Sequence, residues 1–278
     1  MAAYTFFLVL GAAVTLLWGW ATAMWGGLGR WRALGCLLLP ALLSPLGARL
    51  FYAAAHIPAI QHDPARLWAW ELTDLAMFGG LLVALPAGWA ACRLLAVSSF
   101  RLADALVPAL GVGIALARMG CFLAGCCFGR ETSLPWGVIF PRGSPTHLYQ
   151  VLENPLAFLR QPPPVHPTQL YEMIGALVGV GLVCWLSARA AGRGRAWGAG
   201  ARAFAFLAWY SAFRVLNGYL RAPSPGSSLP LWFYTLLYGG LALAALLAWA
   251  LQRRRVRHWE SPAASEPWAA CPPPRFSP

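Results

Sequence analysis

Long apolar stretches alternate with short polar segments along the whole chain. Seven of these stretches are long enough to cross a bilayer as a helix, which takes about 20 apolar residues. They cover roughly residues 4–26, 33–55, 74–96, 103–125, 168–188, 203–221 and 230–251. The pattern predicts an all-α integral membrane protein with about seven transmembrane helices.

The segments between the predicted helices are short, except for residues 126–167. This segment is rich in proline and ends in PPPVHP, so we expect an ordered or semi-ordered loop. The chain after residue 257 is rich in Pro, Ala and Ser, a composition typical of disorder. We therefore expect one transmembrane domain over residues 1–257 and a disordered tail over residues 258–278.

The composition supports a membrane protein. Hydrophobic residues make up 59% of the chain and charged residues only 11%, whereas a soluble domain is about one quarter charged. The net charge of +12 could suggest nucleic acid as a partner. The arginines, however, are scattered along apolar segments and their flanks, so we expect a bilayer and no nucleic acid.

Arginine is distributed unevenly between the two sets of loops. One set, with the C-terminal segment, contains Arg30, Arg32, Arg93, Arg101, Arg189, Arg193, Arg195, Arg202, Arg253, Arg254, Arg255 and Arg257. The arginines of the other set are fewer, and acidic residues accompany most of them. Because basic loops stay in the cytoplasm, the N-terminus is predicted outside and the C-terminus inside, which makes residues 126–167 a periplasmic loop.

Three arginines interrupt the apolar stretches at similar heights. Counted at 1.5 Å per residue from the inner boundary, Arg49, Arg118 and Arg214 lie roughly 24, 23 and 17 Å up, in the outer half of the membrane. A single interfacial arginine often reaches for lipid headgroups. Three arginines at one height also fit a pocket that binds an anion, and the geometry of a guanidinium group suits phosphate. The natural ligand of such a pocket is a phospholipid headgroup.

A polar segment, HPTQLYE, opens the fifth predicted helix at residues 166–172. Proline at a first turn starts a helix without wasting a donor, which places His166 at the cap and Glu172 about one turn inside. A carboxylate at that depth needs a cationic partner, and the arginines above are the nearest candidates. Such a pair either fixes helix packing or takes part in substrate binding.

The seven cysteines do not form a recognisable module. Their number is odd, no Cys-x-x-Cys pair occurs and no histidine lies near them, which argues against a zinc module or a disulfide framework. Cys121, Cys126 and Cys127 follow Arg118 closely. They either pack as small apolar residues or have a reactive role. A disulfide of Cys126 or Cys127 with Cys121 is a further alternative, because the predicted topology places them on the oxidising side.

Three motifs resemble those of the prolipoprotein diacylglyceryl transferases of the bacterial inner membrane. The sequence ARMGCFLAGCCFG at residues 117–129 is similar to the family signature, HPTQLYE matches its heptapeptide, and FRVLNGYLR at residues 213–221 is similar to its Arg-x-x-x-Glu-x-x-Arg motif. The resemblance covers the number of spans, the orientation and most of the chain from about residue 45 to about residue 222. It implies transfer of the diacylglyceryl group from phosphatidylglycerol to the lipobox cysteine of a prolipoprotein signal peptide, with no metal or organic cofactor.

The resemblance also implies roles for individual residues. Arg118 and Arg214 would hold the phosphate and stabilise its charge as it leaves, and His166 would be either a base or a helix-start residue. The residues expected to contact substrate are Arg49, Gly120, Gly125, Gly129, Gln169, Tyr171, Glu172 and Arg221.

Several polar residues of the family pattern are replaced. Its asparagines fall at Cys121 and Ala124, its glutamates at Cys126 and Gly218, and its third-helix histidine at Phe78. These departures leave two alternatives to the transfer reaction that the resemblance implies. One is a paralogue that binds phospholipid without transfer, and the other is an enzyme with a different acceptor. A small-solute transporter is disfavoured, because the sequence has no internal repeat and no carboxylate at mid-membrane.

Overall fold

The computed structural model describes residues 2–55, 57–64, 77–155, 161–195, 197–222 and 231–257. Within these ranges the secondary structure is helical, with isolated β-bridges and no β-strand. The helices are α1 (Ala2–Trp25), α2 (Arg30–Ala55), α3 (Ile57–His62), α4 (Met77–Leu94), α5 (Ser99–Ala124), α6 (Pro145–Glu153), α7 (Thr168–Ala191), α8 (Ala201–Leu220) and α9 (Leu231–Arg257).

Five of these helices, α1, α2, α5, α7 and α9, are long and apolar enough to cross a membrane. The apolar part of α4 is shorter, and α8 occupies most of the sixth predicted stretch. Large apolar side chains such as Leu42 and Leu236 are exposed along the helices, as expected where lipid covers a surface. The chain is therefore a multi-pass, all-helical membrane protein, and the number of seven spans stays a prediction.

The chain divides into two compact units, one of residues 16–106 and one of residues 1–15 with 107–278. In the smaller unit α2 packs along α4. A Cβ atom on Gly47 or Gly79 would collide with side chains or backbone of the facing helix. Glycine at these positions therefore lets the two backbones approach closely, as small residues do in membrane proteins.

Glycines also set the distance between α7 and α8 in the larger unit. A Cβ atom on Gly175 would lie 2.6 Å from the Phe213 ring, and Gly179 faces the Trp209 ring one turn further along. The Trp209 indole N–H donates to the Gly175 carbonyl at 2.8 Å. The close approach of α7 and α8 at these glycines brings polar side chains of the two helices within reach of each other.

Glycines also allow close contacts between α5 and its neighbours α1 and α7. A Cβ atom on Gly11 of α1 would lie 2.8 Å from the Gly113 carbonyl oxygen, and one on Gly120 would lie 2.9 Å from Cβ of Phe7. On the side of α7, Gly111 faces Val180. These contacts fix the depth and rotation of α5, and with them the position of Arg118.

The long segment between α5 and α7 is ordered where the structure describes it. It contains α6, whose N-cap Ser144 accepts a hydrogen bond from the His147 backbone N–H at 3.2 Å. Val165 pairs with Val138 through two backbone hydrogen bonds of 3.0 Å. Phe128, Phe140 and Val165 form a small apolar core within the segment.

The α7–α8 contact generates a stability prediction. Replacing Gly175 with Leu forces a side chain into the Phe213 ring, and overpacking of this kind costs about 1–3 kcal/mol. We expect a lower midpoint of thermal unfolding in detergent. Gly181→Leu on the same helix is the control, because no atom lies within 4 Å of a Cβ there. Equal midpoints for the two variants would contradict the packing described.

Candidate active site

The carboxylate of Glu172 lies at the centre of a cluster of arginines. Its side chain is 1% exposed. Oε1 is 2.9 Å from Nη2 of Arg118 on α5 and 3.5 Å from Nε of Arg214 on α8. Oε2 is 3.8 Å from Nη1 of Arg221, which follows α8. The ion pair expected between Glu172 and a membrane arginine is thus present, and three arginines contribute to it.

Two neutral side chains complete the contacts of Glu172. The Tyr210 hydroxyl donates to Oε1 at 2.7 Å. The Asn217 amide donates to Oε2 at 3.5 Å and to the Thr168 carbonyl at 3.1 Å, at the first turn of α7. The carboxylate is therefore satisfied from several directions, as a buried charge requires.

Helix α8 supplies three of these partners from one stripe, and the residue that follows the helix supplies a fourth. Tyr210, Arg214 and Asn217 are spaced by four and three residues, which places them on the same helix face, and Arg221 is the C-cap residue with an extended backbone. The motif match had indicated the two arginines, whereas Tyr210 and the role of Asn217 were not predicted. The polar spacing within an otherwise apolar stretch is the signal that identifies both.

The cluster carries two positive charges in excess, because three guanidinium groups surround one carboxylate. Of the three arginines, only Arg118 is within good hydrogen-bonding distance of Glu172, since 3.5 and 3.8 Å are too long for strong hydrogen bonds. The arginine side chains are 13–15% exposed. Arg214 and Arg221 therefore keep donor groups that can bind an incoming anion.

Two buried acceptor atoms lie beside the cluster. Among the residues that the structure describes, Oδ1 of Asn217 and Oε1 of Gln169 have no hydrogen-bond partner. The Nε2 amino group of Gln169 donates a hydrogen bond to the Cys126 carbonyl at 2.6 Å. Buried polar atoms are usually paired, so these two acceptors keep a hydrogen-bonding capacity that the described residues do not use.

The end of α5 forms a Schellman motif. The Cys126 N–H donates to the Cys121 carbonyl at 3.1 Å and the Gly125 N–H to the Phe122 carbonyl at 3.0 Å. Gly125 has a φ of +67°, the left-handed conformation that glycine adopts without strain at such helix ends. Gly125 therefore has a backbone role, and the motif places the side chains of Cys121 and Cys126 next to each other.

The chain turns again at Cys127, which has a φ of +60°. Its carbonyl accepts a hydrogen bond from the Thr168 hydroxyl at 2.9 Å. Hydrogen bonds with Cys121 and Cys126, and then the charges of Arg221 and Arg118, lower the pKa of the Cys127 thiol, while burial opposes the change. This turn therefore lies within the electrostatic field of the arginine cluster.

Gly129 lies where the chain passes between two other segments. Its N–H donates to the His166 carbonyl at 2.9 Å, and a Cβ atom on it would lie 2.7 Å from the Leu220 carbonyl oxygen. An antiparallel β-bridge between Gly129 and Arg221 holds the end of α8 against this segment. Gly129 thus acts through the close approach of backbones, as Gly120 does at α1.

The His166 side chain belongs to a separate group of contacts. Its Nδ1 lies 3.2 Å from the Tyr171 hydroxyl, which accepts the Trp136 indole N–H at 2.7 Å. His166 precedes the N-cap residue, Pro167, by one position. The prediction that His166 is the N-cap is therefore wrong by one residue. The backbone of Pro167 is not helical, so the helix begins at Thr168 and Pro167 is its N-cap.

Two residues of the sequence analysis lie outside the larger unit. Arg49 belongs to the smaller unit, where it is buried and its guanidinium carbon is 5.4 Å from the centre of the Tyr52 ring. Its place in a pocket with Arg118 and Arg214 stays a prediction. The Phe78 side chain lies outside the described residues.

The fold and the site define a multi-pass membrane protein with a buried arginine–carboxylate centre. A family model described as prolipoprotein diacylglyceryl transferase matches residues 1–252. The chain belongs to this family, which confirms the resemblance seen in the motifs.

Individual relatives agree with the family match, and each is named phosphatidylglycerol–prolipoprotein diacylglyceryl transferase. The protein from Geobacter sulfurreducens is 34% identical over 76% of this chain and 73% of its own length. The Cupriavidus necator protein is 31% identical over 75% and 71%. The Azotobacter vinelandii protein is 30% identical over 86% and 82%.

The charge cluster generates a second stability prediction. Glu172→Gln keeps the size of the side chain but leaves three arginines without their anion, and breaking a buried ion pair in this way costs about 3–5 kcal/mol. We expect a clear drop in the thermal unfolding midpoint in detergent. Glu131→Gln is the control, since Glu131 is exposed in the loop. An unchanged midpoint for Glu172→Gln would show that the cluster does not stabilise the fold.

Proposed function

We propose that this protein transfers the diacylglyceryl group of phosphatidylglycerol to the lipobox cysteine of prolipoproteins, as an enzyme of lipoprotein biosynthesis in the bacterial inner membrane. Family membership and the shared name of its relatives support the proposal. The observation that carries it is the excess of positive charge around Glu172, which fits the phosphate of an anionic lipid.

The arginines bind the phosphate of the substrate. A guanidinium group offers a planar fork of donors that matches two phosphate oxygens. Arg214 and Arg221 contact Glu172 only at 3.5 and 3.8 Å, so a phosphate can take up their remaining donors without breaking the cluster. Arg49 is a further candidate for substrate binding on the strength of the sequence.

The transfer replaces a carbon–oxygen bond with a carbon–sulfur bond. The cysteine thiolate of the prolipoprotein attacks the glycerol carbon that carries the phosphate ester. That carbon's bond to oxygen breaks, its electron pair goes to the leaving glycerol phosphate, and a thioether forms. Negative charge on the phosphate increases as the bond breaks, and Arg118 and Arg214 stabilise it. This chemistry requires no cofactor.

His166 is the proposed acceptor of the thiol proton. The Trp136 N–H can only donate, so the Tyr171 hydroxyl accepts it and directs its own proton to Nδ1 of His166. A thiol proton then reaches His166 by way of this hydroxyl, which passes on one proton as it takes up another. Tyr171 is therefore the group that contacts substrate in this step.

Glu172 acts on the reaction by positioning the arginines. It holds groups from α5 and α8 around one point before substrate arrives, so less reorganisation accompanies the development of charge. Gln169 lies one turn earlier on α7, and its free Oε1 offers an acceptor for a glycerol hydroxyl. Gly120 and Gly129 support binding through the close contacts that they allow, and Gly125 supports it through its left-handed backbone conformation.

The proposed topology has seven spans, with the N-terminus outside and the C-terminus in the cytoplasm. Residues 1–257 then form the transferase domain, and residues 126–167 lie on the periplasmic side. The tail at residues 258–278 lies outside the described residues. This orientation, which rests on the distribution of arginines, brings the site to the side on which a secreted prolipoprotein emerges.

Removal of one arginine tests phosphate binding. Arg214→Ala leaves Glu172 paired with Arg118, but it removes a proposed phosphate contact. We expect at least a 100-fold loss in transfer from labelled phosphatidylglycerol to a lipobox peptide, comparable to the loss of one donor to a developing oxyanion. Arg189→Ala, at the exposed last turn of α7, is the control. Normal transfer by Arg214→Ala would contradict the proposed role.

Complementation tests the function as a whole. The chain is expressed in bacteria depleted of their own diacylglyceryl transferase, and the lipidation of a reporter lipoprotein is measured by mass spectrometry. We expect lipidation and restored growth, with the Arg214→Ala variant as the inactive control. Failure of the inserted and stable wild-type chain would contradict the proposal and favour a different acceptor or lipid binding alone.

A further inference from the structure

Three cysteines have no role in the proposed transfer, yet their thiols lie together. The Sγ atoms of Cys121, Cys126 and Cys127 all lie within 4.8 Å of one another, and all three thiols are free. A metal ion bound to three thiolates at 2.3 Å in a trigonal arrangement would hold the sulfur atoms about 4.0 Å apart. The three thiols are therefore close to the geometry of a metal site.

The backbone fixes this arrangement without help from a metal. The Schellman motif places Cys121 beside Cys126, whose thiol lies 3.6 Å from the Cys121 carbonyl oxygen. The left-handed turn at Cys127 then adds the third thiol. Hydrogen bonds from Gln169 and Thr168 to the Cys126 and Cys127 carbonyls hold the turn against α7. Little ordering is left to be done when an ion binds, which favours affinity.

The donor atoms restrict the kind of ion. The group contains three sulfur donors, and within the described part of the chain no histidine or carboxylate joins it. Thiolate ligands select soft ions and not Mg²⁺ or Ca²⁺. Zinc in structural sites takes four protein ligands, so a set of three suits copper(I) better.

The surrounding charge also favours a thiolate complex. Arg118 and Arg221 act on the Cys127 thiol through their positive charges. A copper(I) ion with three thiolates carries a net charge of −2, which two neighbouring guanidinium groups can balance. Neighbouring arginines stabilise thiolates in this way in other proteins.

We propose that Cys121, Cys126 and Cys127 form a binding site for a soft, thiophilic metal ion, with copper(I) as the ion that fits best. Binding forms three metal–sulfur bonds and releases three thiol protons to water, and nothing is oxidised or reduced. The ligands are the three thiols, which have no part in the proposed transfer, although the balancing charges of Arg118 and Arg221 are shared with it. The spacing of the cysteines had indicated no metal module, because the third ligand is brought in by a turn.

The test uses the full chain in detergent, reduced and kept free of oxygen. In one variant Cys36, Cys92, Cys184 and Cys271 are replaced by serine, which removes the Cys36–Cys92 pair as a competing thiol site. Copper(I) is titrated against a coloured copper(I) chelator. We expect this variant to withdraw one ion per chain from the chelator. Failure to compete would overturn the proposal.

The reciprocal variant keeps the other four cysteines and replaces Cys121, Cys126 and Cys127 with alanine. Loss of a single outer-shell group costs metal sites about 10- to 100-fold in affinity, so removal of all three ligands should cost more than about 100-fold. Unchanged affinity in this variant would place the metal elsewhere and overturn the proposal. Circular dichroism and the thermal unfolding midpoint show whether the variant is folded.

Two further measurements decide the chemistry of the site. Cadmium(II), added alone to the variant that keeps the three thiols, should give the ultraviolet absorption of a cadmium–thiolate complex, which the alanine variant should lack. Zinc(II) is titrated in the same way, and zinc binding without competition for copper(I) would overturn the choice of copper(I). A disulfide among the three cysteines that persists under reduction would overturn the site itself.

Discussion

The arrangement of α5, α7 and α8 depends on one buried carboxylate. A charge in a low-dielectric interior is costly unless cations and hydrogen bonds surround it. Glu172 meets this requirement with Arg118 from α5 and with a stripe of residues from α8. None of these helices can rotate or slide without leaving a buried charge unpaired. The glycine contacts at Gly175 and Gly179 make the arrangement possible, because larger residues would keep α8 out of reach.

The same cluster reconciles stability with ligand binding. A neutral cluster would be cheaper to bury but would have no attraction for an anion. With three arginines around one carboxylate, the site keeps two positive charges. Of these arginines only Arg118 makes a short contact with Glu172, so Arg214 and Arg221 retain donors for a ligand. The 13–15% exposure of the arginine side chains leaves them accessible to a ligand while limiting contact with water.

More of this site could be predicted from the sequence than of the residues around it. Apolar length predicted the helices, and the cost of a buried carboxylate predicted a partner for Glu172. Tyr210 was missed because a tyrosine in an apolar stretch looks like a membrane residue until its spacing from Arg214 is considered. The meeting of the three thiols was missed for a different reason: Cys127 joins the others through a left-handed backbone turn, and nothing in the spacing of the cysteines indicates such a conformation at a residue other than glycine.

The departures from the family pattern become understandable once the contacts of the signature segment are known. The carbonyls of Cys126 and Cys127, and not their side chains, accept the hydrogen bonds from Gln169 and Thr168. The Schellman motif likewise uses only backbone groups, with Gly125 in the left-handed position. Cysteine can therefore stand where the family has asparagine or glutamate without disturbing the junction between the signature and the heptapeptide. The scaffold that holds the arginines is retained, and the side chains that project from this turn are free to acquire a different chemistry.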